Sequence, residues 1–347
     1  MILINIKINH QNNNLLKTII IILNMDILIE IAIIIFSSLI IYLAGNKFAE
    51  SSSKIGDHFK LPRDVKGATF DAISSSLPEL LVALYSVIIF KQFEVGIGTI
   101  AGSALFNLLI IPSICVFVAP VTFKVSKKVI SRDALFYLIS IFTLIILIIY
   151  FKEWGLIISI LLLLIYLVYL KEIITHTKLH KKNFKQNKQN EIRFVKEISI
   201  FLVLMLIIGI FTFFLTNSAI NLSYALGISP IIIAFTIIAA ATSVPDTVIS
   251  VINAKKGDID DATSNVFGSN IFDILVGIGL PLLIYTLFKG PVLIDFVNLE
   301  IILGLLGSTI LVLYFFAEDH TLNKRQAITL IIMYFLFLLY VITLALL

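Results

Sequence analysis

Two short stretches of the chain carry hydroxyl, proline and carboxylate residues in the same order, each inside a long apolar run. The first, S-S-L-P-E, occupies 75–79, and the second, T-S-V-P-D, occupies 242–246, which is 167 positions later. A carboxylate at the centre of a bilayer costs about 3 kcal/mol or more, so it is rarely held there without a cation, a proton or water. The two stretches therefore predict sites for cations or protons inside a membrane.

Helical spacing places the oxygen-bearing side chains of each stretch together. The two hydroxyl residues precede the carboxylate by four and three positions, which puts all three on one face of a helix. Pro78 and Pro245 each remove a backbone N–H and free a carbonyl one turn earlier. Such a carbonyl is tolerated at membrane depth only where it meets protein or a polar cavity.

A second element follows each stretch, with an offset of 166 between its copies. It reads G-S-A-L-F-N in the first copy and G-S-N-I-F-D in the second. Ser103 precedes Asn107 by four residues, and Ser269 precedes Asp273 by four, so each pair shares a helix face. The glycine that opens each element, Gly102 or Gly268, is expected at a close helix contact.

The donor atoms of these elements are all oxygens. Carboxylate, hydroxyl and amide oxygens suit hard cations such as Ca²⁺ and Na⁺ better than transition metals. Three acids, Glu79, Asp246 and Asp273, are enough to hold one divalent ion or several monovalent ions. The five histidines show no ligand spacing, and the single cysteine, Cys115, is expected to be buried and unpaired.

The composition indicates a polytopic membrane protein. Of 347 residues, 59% are hydrophobic and 14% are charged, with a mean hydropathy of +1.06, whereas about a quarter of the residues in a soluble domain are charged. Apolar runs of about 20 residues predict an all-α fold with ten transmembrane helices. We expect them at 26–46, 65–90, 95–119, 131–151, 154–171, 196–216, 226–253, 260–287, 298–316 and 326–346.

Basic residues orient these helices in the membrane. The connections on one side carry 21 of the 26 Lys and Arg residues, which predicts that this side is cytoplasmic and that both termini face out. The same rule explains the net charge of +4 without any nucleic-acid partner.

The chain divides into two halves at a basic cytoplasmic linker, 172–195. We predict an N-terminal extension at 1–24 that need not be structured, a first five-helix half at 25–171 and a second five-helix half at 196–347. Either Met1 or Met25 is compatible with the start of the chain.

The two repeat units are predicted to run in opposite directions through the membrane. The first covers about 65–119 and the second about 226–287, and five helices, an odd number, separate equivalent points. Inverted repeats of this kind place a binding site near the bilayer midplane at the interface of the two copies.

At these motifs the sequence resembles the sodium/calcium exchanger branch of the cation/calcium exchanger superfamily. The resemblance covers nearly the whole chain after Met25 and implies a Ca²⁺/Na⁺ antiporter with a sliding gate made by the first and sixth helices. It implies one central Ca²⁺ site flanked by Na⁺ sites. The family's ion ligands fall on Ser75, Ser76, Glu79, Ser103, Asn107, Thr242, Ser243, Asp246, Ser269 and Asp273.

Several residues depart from the family pattern. Asp246 stands where the family has Glu, which shortens this ligand by one methylene. Ser74 and Ala241 stand where the family has the glycine of its G-T-S-L-P-E segments. Thr99 stands where the family has the Asn of its first G-N-x-x-G-S segment. Asp71 adds an acid about 12 Å from Glu79 along the helix. We expect Asp71 to be an entrance residue facing water, with a role in guiding cations as the alternative.

Other functions remain open at this point. A Ca²⁺ exchanger coupled to H⁺ or K⁺ is the nearest alternative, because buried carboxylates can carry protons. An intramembrane aspartyl protease also needs two acids at membrane depth, but the symmetric repeat and the lack of a G-x-G-D element speak against it. A channel fits inverted repeats less well than an antiporter does. We therefore expect a transporter of the plasma membrane, with no enzymatic activity and no cofactor. Ca²⁺ and Na⁺ are its expected partners, and the sequence is compatible with a monomer.

Overall fold

The computed structural model describes residues 2–59, 63–178, 188–294, 299–317 and 319–346. Side chains of 2–24 and of a few residues at other helix ends lie outside this description. The described residues form ten helical segments. They are α1 (Ile2–His58), α2 (Gly67–Ser75 and Leu77–Ile88, preceded by the turn Arg63–Lys66), α3 (Phe93–Val118), α4 (Lys127–Tyr150), α5 (Leu156–Lys178), α6 (Lys188–Leu226), α7 (Pro230–Lys255), α8 (Ile259–Lys289), α9 (Leu299–Ala317) and α10 (Lys324–Leu346).

These helices match the ten predicted spans. Eight of the described helices are long and apolar enough to cross a membrane, and the two parts of α2 make a ninth when they are taken together. The apolar part of α9, Ile301–Ala317, is slightly shorter. The prediction of an all-helical membrane protein with ten helices in two inverted halves is therefore confirmed. The helix ends differ from the predicted ones, most of all at α1, which runs from Ile2 to His58.

Burial separates a central group of helices from a peripheral one. In an apolar 18-residue stretch of α3, 78% is buried, whereas only 22% of the corresponding stretch of α1 is buried. The helices of the two repeat units, α2, α3, α7 and α8, pack against one another at the centre. The long helices α1 and α6 lie side by side and contact the second parts of α2 and α7.

Two short backbone pairings join connections from opposite halves. Strand β1 (Glu153–Trp154) pairs antiparallel with β2 (Val292–Leu293), and a single bridge links Lys124 with Thr321. Trp154 is fully buried and donates its Nε1–H to the carbonyl of Phe151 at 3.0 Å. The pairings fix the α4–α5 connection to the α8–α9 connection, and the α3–α4 connection to the α9–α10 connection.

Two π-helical segments occupy equivalent positions in the repeat units. They are Gly67–Asp71 in α2 and Ala234–Ile238 in α7, with an offset of 167 at both ends. Each contains a threonine, Thr69 or Thr236, whose hydroxyl donates to the carbonyl four residues earlier at 2.6 Å or 2.7 Å. Such wide turns often accompany functional sites in helices. The sequence repeat is therefore also a repeat of an unusual backbone.

A buried ion pair holds α8 against α4 and α5. Asp133 is fully buried and accepts from Arg132 Nε at 2.6 Å and from Nη2 at 2.9 Å. It also accepts from the hydroxyls of Tyr169 on α5 and Ser264 on α8, at 3.1 Å and 2.9 Å. Since the carboxylate is both paired and hydrogen-bonded, this network can be buried without an unsatisfied charge.

Candidate functional site

Both S/T-S-x-P-D/E stretches lie where a helix is interrupted. In α2 the regular helix stops at Ser76, and the parts Gly67–Ser75 and Leu77–Ile88 meet at 48°. In α7 the equivalent interruption is at Ser243, between Ala239–Thr242 and Val244–Lys255. The prolines explain both breaks, because Pro78 and Pro245 lack the N–H that would continue the helical ladder.

Glu79 begins the second part of α2 and is fully buried. Its Oε1 accepts a hydrogen bond from Ser103 Oγ on α3 at 3.1 Å. The same Ser103 hydroxyl lies 2.9 Å from Ser243 Oγ at the break in α7. Thr242 is also close to Glu79 and donates its hydroxyl to the Ile238 carbonyl at 3.0 Å. Residues from both repeat units therefore surround this carboxylate.

Asp246 occupies the equivalent place in α7 and is also fully buried. Ser269 Oγ on α8 donates to its Oδ1 at 2.6 Å, which repeats the Ser103 to Glu79 contact of the first unit. Asn107 Nδ2 on α3 donates to its Oδ2 at 2.9 Å. Ser75 lies beside this pair, with its Oγ 3.3 Å from Ser269 Oγ. Both carboxylate oxygens of Asp246 thus have a donor.

Asp273 differs from its repeat counterpart Asn107 in charge and in surroundings. It is fully buried, and Ser76 and Ser103 lie near it. Its nearest charged neighbours are the carboxylates of Glu79 and Asp246. Within the described residues, no hydrogen bond reaches either of its oxygens. The first repeat unit therefore has an amide donor, Asn107, at the position where the second unit has the negative charge of Asp273.

Several buried oxygens of the predicted ligands lack a hydrogen-bond donor among the described residues. They are Ser76 Oγ, Glu79 Oε2, Asn107 Oδ1, Asp273 Oδ1 and Asp273 Oδ2. An unsatisfied buried polar atom is unfavourable by about 1–3 kcal/mol, and more when it is charged. These oxygens are the atoms that a bound cation would satisfy.

The three acids do not form a ready-made metal cage. In the described part of the chain, no group of three or more His, Cys, Asp or Glu side chains is placed to hold a metal ion. A cation at this site would therefore need hydroxyl and amide oxygens in addition to carboxylates. Na⁺ and Ca²⁺ accept such mixed oxygen ligands.

Two asparagines of α8 belong to this network although the sequence analysis did not name them. Asn265 Nδ2 donates to Ser250 Oγ at 3.0 Å, and Asn270 Nδ2 donates to the Ala104 carbonyl at 3.1 Å. Asn270 Oδ1 in turn accepts from Asn107 Nδ2 at 3.2 Å. The signal for Asn265 was its position four residues before Ser269, on the same helix face.

Asp71 does not face water as expected. The residue is 1% exposed and lies in the π-helical segment of α2, against the beginning of α8. The prediction was wrong because it took the distance along the helix as a measure of exposure, whereas α8 covers this turn of α2.

Comparison with known proteins identifies a family. The profile of the family "Sodium/calcium exchanger protein" matches residues 29–172 and 196–343. The fold resembles solved structures of the sodium-calcium exchanger NCX_Mj. One of them, soaked with 10 mM Na⁺ and zero Ca²⁺, has a TM-score of 0.65 at 24% identity and covers 89% of this chain and 98% of that chain.

Relatives of known sequence divide into two kinds. An uncharacterized membrane protein of Methanocaldococcus jannaschii is 26% identical over 303 residues, which cover 85% of this chain and 92% of the relative. Human sodium/potassium/calcium exchanger 3 is 40% identical over 117 residues, covering 34% of this chain and 18% of the relative. The chicken sodium/potassium/calcium exchanger 1 is 37% identical over 135 residues, which is 20% of its length.

Proposed function

Because the chain belongs to the sodium/calcium exchanger protein family, we propose that it exchanges Ca²⁺ for Na⁺ across the membrane. The observation that carries the proposal is the set of buried oxygens without donors at Ser76, Glu79, Asn107 and Asp273. They lie where the two broken helices meet, and each belongs to a predicted ligand. Membership of a family of exchangers also makes the chain a transporter, and we propose that it has no enzymatic activity.

Charge neutralisation links ion binding to movement in this proposal. Glu79, Asp246 and Asp273 are fully buried, and an empty site would carry up to three negative charges without a counterion. Sealing such a site from water is strongly unfavourable, because the desolvation of each charge goes uncompensated. One Ca²⁺ balances two of these charges and several Na⁺ ions balance up to three, so either kind of loading lowers that penalty. The protein can then alternate only when it is loaded, as exchange requires.

The pair α1 and α6 is the proposed moving part. Polar contacts tie the two helices together near both ends: Ser51 Oγ donates to the Glu197 carbonyl at 2.8 Å, and Asn221 Nδ2 donates to Glu30 Oε1 at 2.9 Å. Against the centre, α1 contacts Pro245 at Gly45, where an added Cβ would lie 2.9 Å from the proline ring. A pair joined in this way would slide past the break in α7 as one unit.

The direct test replaces Glu79 by Gln. Purified protein in liposomes loaded with Na⁺ should take up Ca²⁺ from Na⁺-free buffer, and Glu79→Gln should lower this uptake at least about tenfold, since the amide removes a charge that no other ligand replaces. Glu153→Gln, at an exposed acid in β1, should retain normal uptake. Full Na⁺-driven uptake by Glu79→Gln would show that the site lies elsewhere.

A K⁺-coupled exchanger is the second candidate. It is favoured by the 40% identity to a sodium/potassium/calcium exchanger over 117 residues, although the match spans only 18% of that relative. Ca²⁺ uptake measured with K⁺ and then with choline as the second external cation separates the two candidates. Uptake that needs K⁺ supports the K⁺-coupled mechanism, and a pH gradient imposed in Na⁺-free buffer tests proton coupling in the same vesicles.

We place the exchanger in the plasma membrane with the 172–195 linker in the cytoplasm. The proposal rests on the 21 basic residues in the connections on that side. It puts the beginnings of α2 and α8, including Lys66 and Asp261, at the cytoplasmic face.

A further inference from the structure

A cavity lined by charged residues opens where α8 begins. Its volume is about 500 Å³, and its wall includes His320, Lys124 and Lys127 of the α3–α4 connection and its end, and the acids Asp258, Asp260 and Asp261. Asp260 Oδ1 accepts the backbone N–H of Ser126 at 2.7 Å. On the orientation proposed above, this cavity opens to the cytoplasm.

Asp261 is the innermost acid of this cavity. Its side chain is 2% exposed, and its Oδ2 lies 3.6 Å from Lys66 Nζ. Within the described residues, its Oδ1 has no hydrogen-bond donor. This oxygen lies against Gly67 of α2, where an added Cβ would be 2.5 Å away. The negative charge of Asp71, one turn further along α2, also acts on Asp261.

Lys66 lies where α1, α2 and α8 meet. Its Nζ donates to Ser53 Oγ on α1 at 3.0 Å while it faces Asp261 on α8. An added Cβ at Gly56 of α1 would lie 2.9 Å from Lys66 Cγ, so the lysine stem runs directly over α1. The ammonium group therefore stands between a proposed moving helix and a central helix.

The other repeat unit shows that the fold does not require these charges. The equivalents of Lys66, Asp71 and Asp261 at the opposite end are Ile233, Ile238 and Val95. All three are buried and belong to one hydrophobic cluster with α1 and α6 residues. Equivalent positions of the two repeat units are therefore occupied by apolar side chains in one unit and by two carboxylates and an ammonium group in the other.

A line of oxygens connects the charged junction to the central site. Ser75 Oγ donates to the Asp71 carbonyl at 2.8 Å and lies 3.3 Å from Ser269 Oγ. Ser269 donates to Asp246. The hydroxyl oxygens of Ser75 and Ser269 therefore lie between the backbone of Asp71 and the carboxylate of Asp246.

We propose that Asp261 and Asp71 form a second site for a hard cation such as Ca²⁺, between the cytoplasmic cavity and the central site, and that Lys66 occupies it as a tethered competitor. The two carboxylates attract a cation, and the ammonium group of Lys66 competes with that cation for Asp261. The incoming ion displaces Lys66 from Asp261 and then passes to the central site. This inference rests on the exchange activity proposed above.

The test measures the apparent KM for Ca²⁺ on each face separately, in inside-out and right-side-out membrane vesicles. On the cytoplasmic face, Lys66→Gln should lower the KM and Asp261→Asn should raise it, each by about fivefold, while the opposite face changes by less than about twofold. Asp260→Asn is the matched control, because it removes a charge from the same cavity wall, and its KM should stay within about twofold of wild type.

Opposite changes of the KM in Lys66→Gln and Asp261→Asn distinguish a cation site from a merely structural ion pair. If Lys66 and Asp261 only hold the helices together, both variants weaken the protein and move the KM in the same direction, which overturns the proposal. A shift in the balance of inward and outward states would change the KM on both faces, in opposite directions, and would overturn it as well. Where Asp261→Asn fails to fold, the Lys66→Gln KM alone decides: a fall supports the proposal and any other result refutes it. Wild-type vesicles without Na⁺-dependent Ca²⁺ uptake would instead refute the proposed function.

Discussion

The glycines of the repeated G-S element should be required for the contact between the two repeat units. Gly102 of α3 packs on the π-helical segment of α7, where an added Cβ would overlap the carbonyl oxygen of Phe235 and lie 2.7 Å from Ala239 Cβ. Gly268 of α8 packs on the equivalent segment of α2, where an added Cβ would lie 2.9 Å from Ala68 Cα. Each unit thus uses its glycine to approach the unusual backbone of the other.

These distances set the size of the expected effect. Carbon atoms pack best at about 3.5–4.0 Å, so a methyl group at Gly102 would be roughly 0.8 Å too close to Ala239 as well as overlapping a backbone oxygen. Because the obstacle at Gly102 is rigid backbone, the two helices must separate. We expect Gly102→Ala to lower stability by about 3 kcal/mol, the upper end for overpacking, and Gly268→Ala by about 1–2 kcal/mol.

The assay is thermal unfolding of the purified protein in detergent, followed by Na⁺-driven Ca²⁺ uptake after reconstitution. Gly307→Ala on α9 is the control, because an added Cβ there meets no atom within 4 Å. Both repeat variants should unfold at a lower temperature than Gly307→Ala and should lose transport in the order of their stability loss. An unchanged unfolding temperature for Gly102→Ala would refute the assigned contact.

Two further substitutions test the charges of the structure. Asp246→Glu adds a methylene to a carboxylate whose two oxygens already contact Ser269 and Asn107; we expect altered Na⁺ and Ca²⁺ dependence of uptake, and unchanged dependence would show that the shorter side chain has no functional meaning. Arg132→Met leaves Asp133 buried without its cation, which should destabilise the protein by about 3–5 kcal/mol; a normal unfolding temperature in detergent would contradict this account of the network.

Much of this architecture was predictable because it rests on local signals. Apolar runs and the distribution of basic residues predicted ten helices, and Pro78 and Pro245 indicated where a backbone N–H is missing from two of them. Helical spacing predicted that Ser103 and Asn107 share a helix face, and Asn107 Nδ2 does lie 3.5 Å from Ser103 Oγ. Residues three or four apart on a helix must share a face, so this pairing needs no tertiary information. The contacts of Ser103 with Glu79 and of Ser269 with Asp246 join different helices and did not follow from spacing.

What depends on the packing of one helix on another was not predictable. The π-helical turns at 67–71 and 234–238 carry no distinctive residues apart from a threonine that also occurs in ordinary helices. The burial of Asp71 follows from the position of α8, and hydropathy within α2 contains no information about it. The hydrogen bond from Asn107 to Asp246 joins the two repeat units, and no local sequence rule predicts it.

The internal symmetry of the backbone makes its chemical asymmetry informative. Equivalent turns of α2 and α7 place Glu79 and Asp246 alike. Among the described residues, however, Asp246 has donors on both oxygens, whereas Glu79 has a donor on Oε1 alone. The difference comes from Asn107, which satisfies Asp246, and its counterpart Asp273, which faces Glu79 with a second charge. A bound cation compensates buried negative charge. We therefore expect a cation to be stabilised most by Glu79 and Asp273. In the proposed exchanger, a backbone that is equivalent on both sides would therefore still hold different ions at different places within one site.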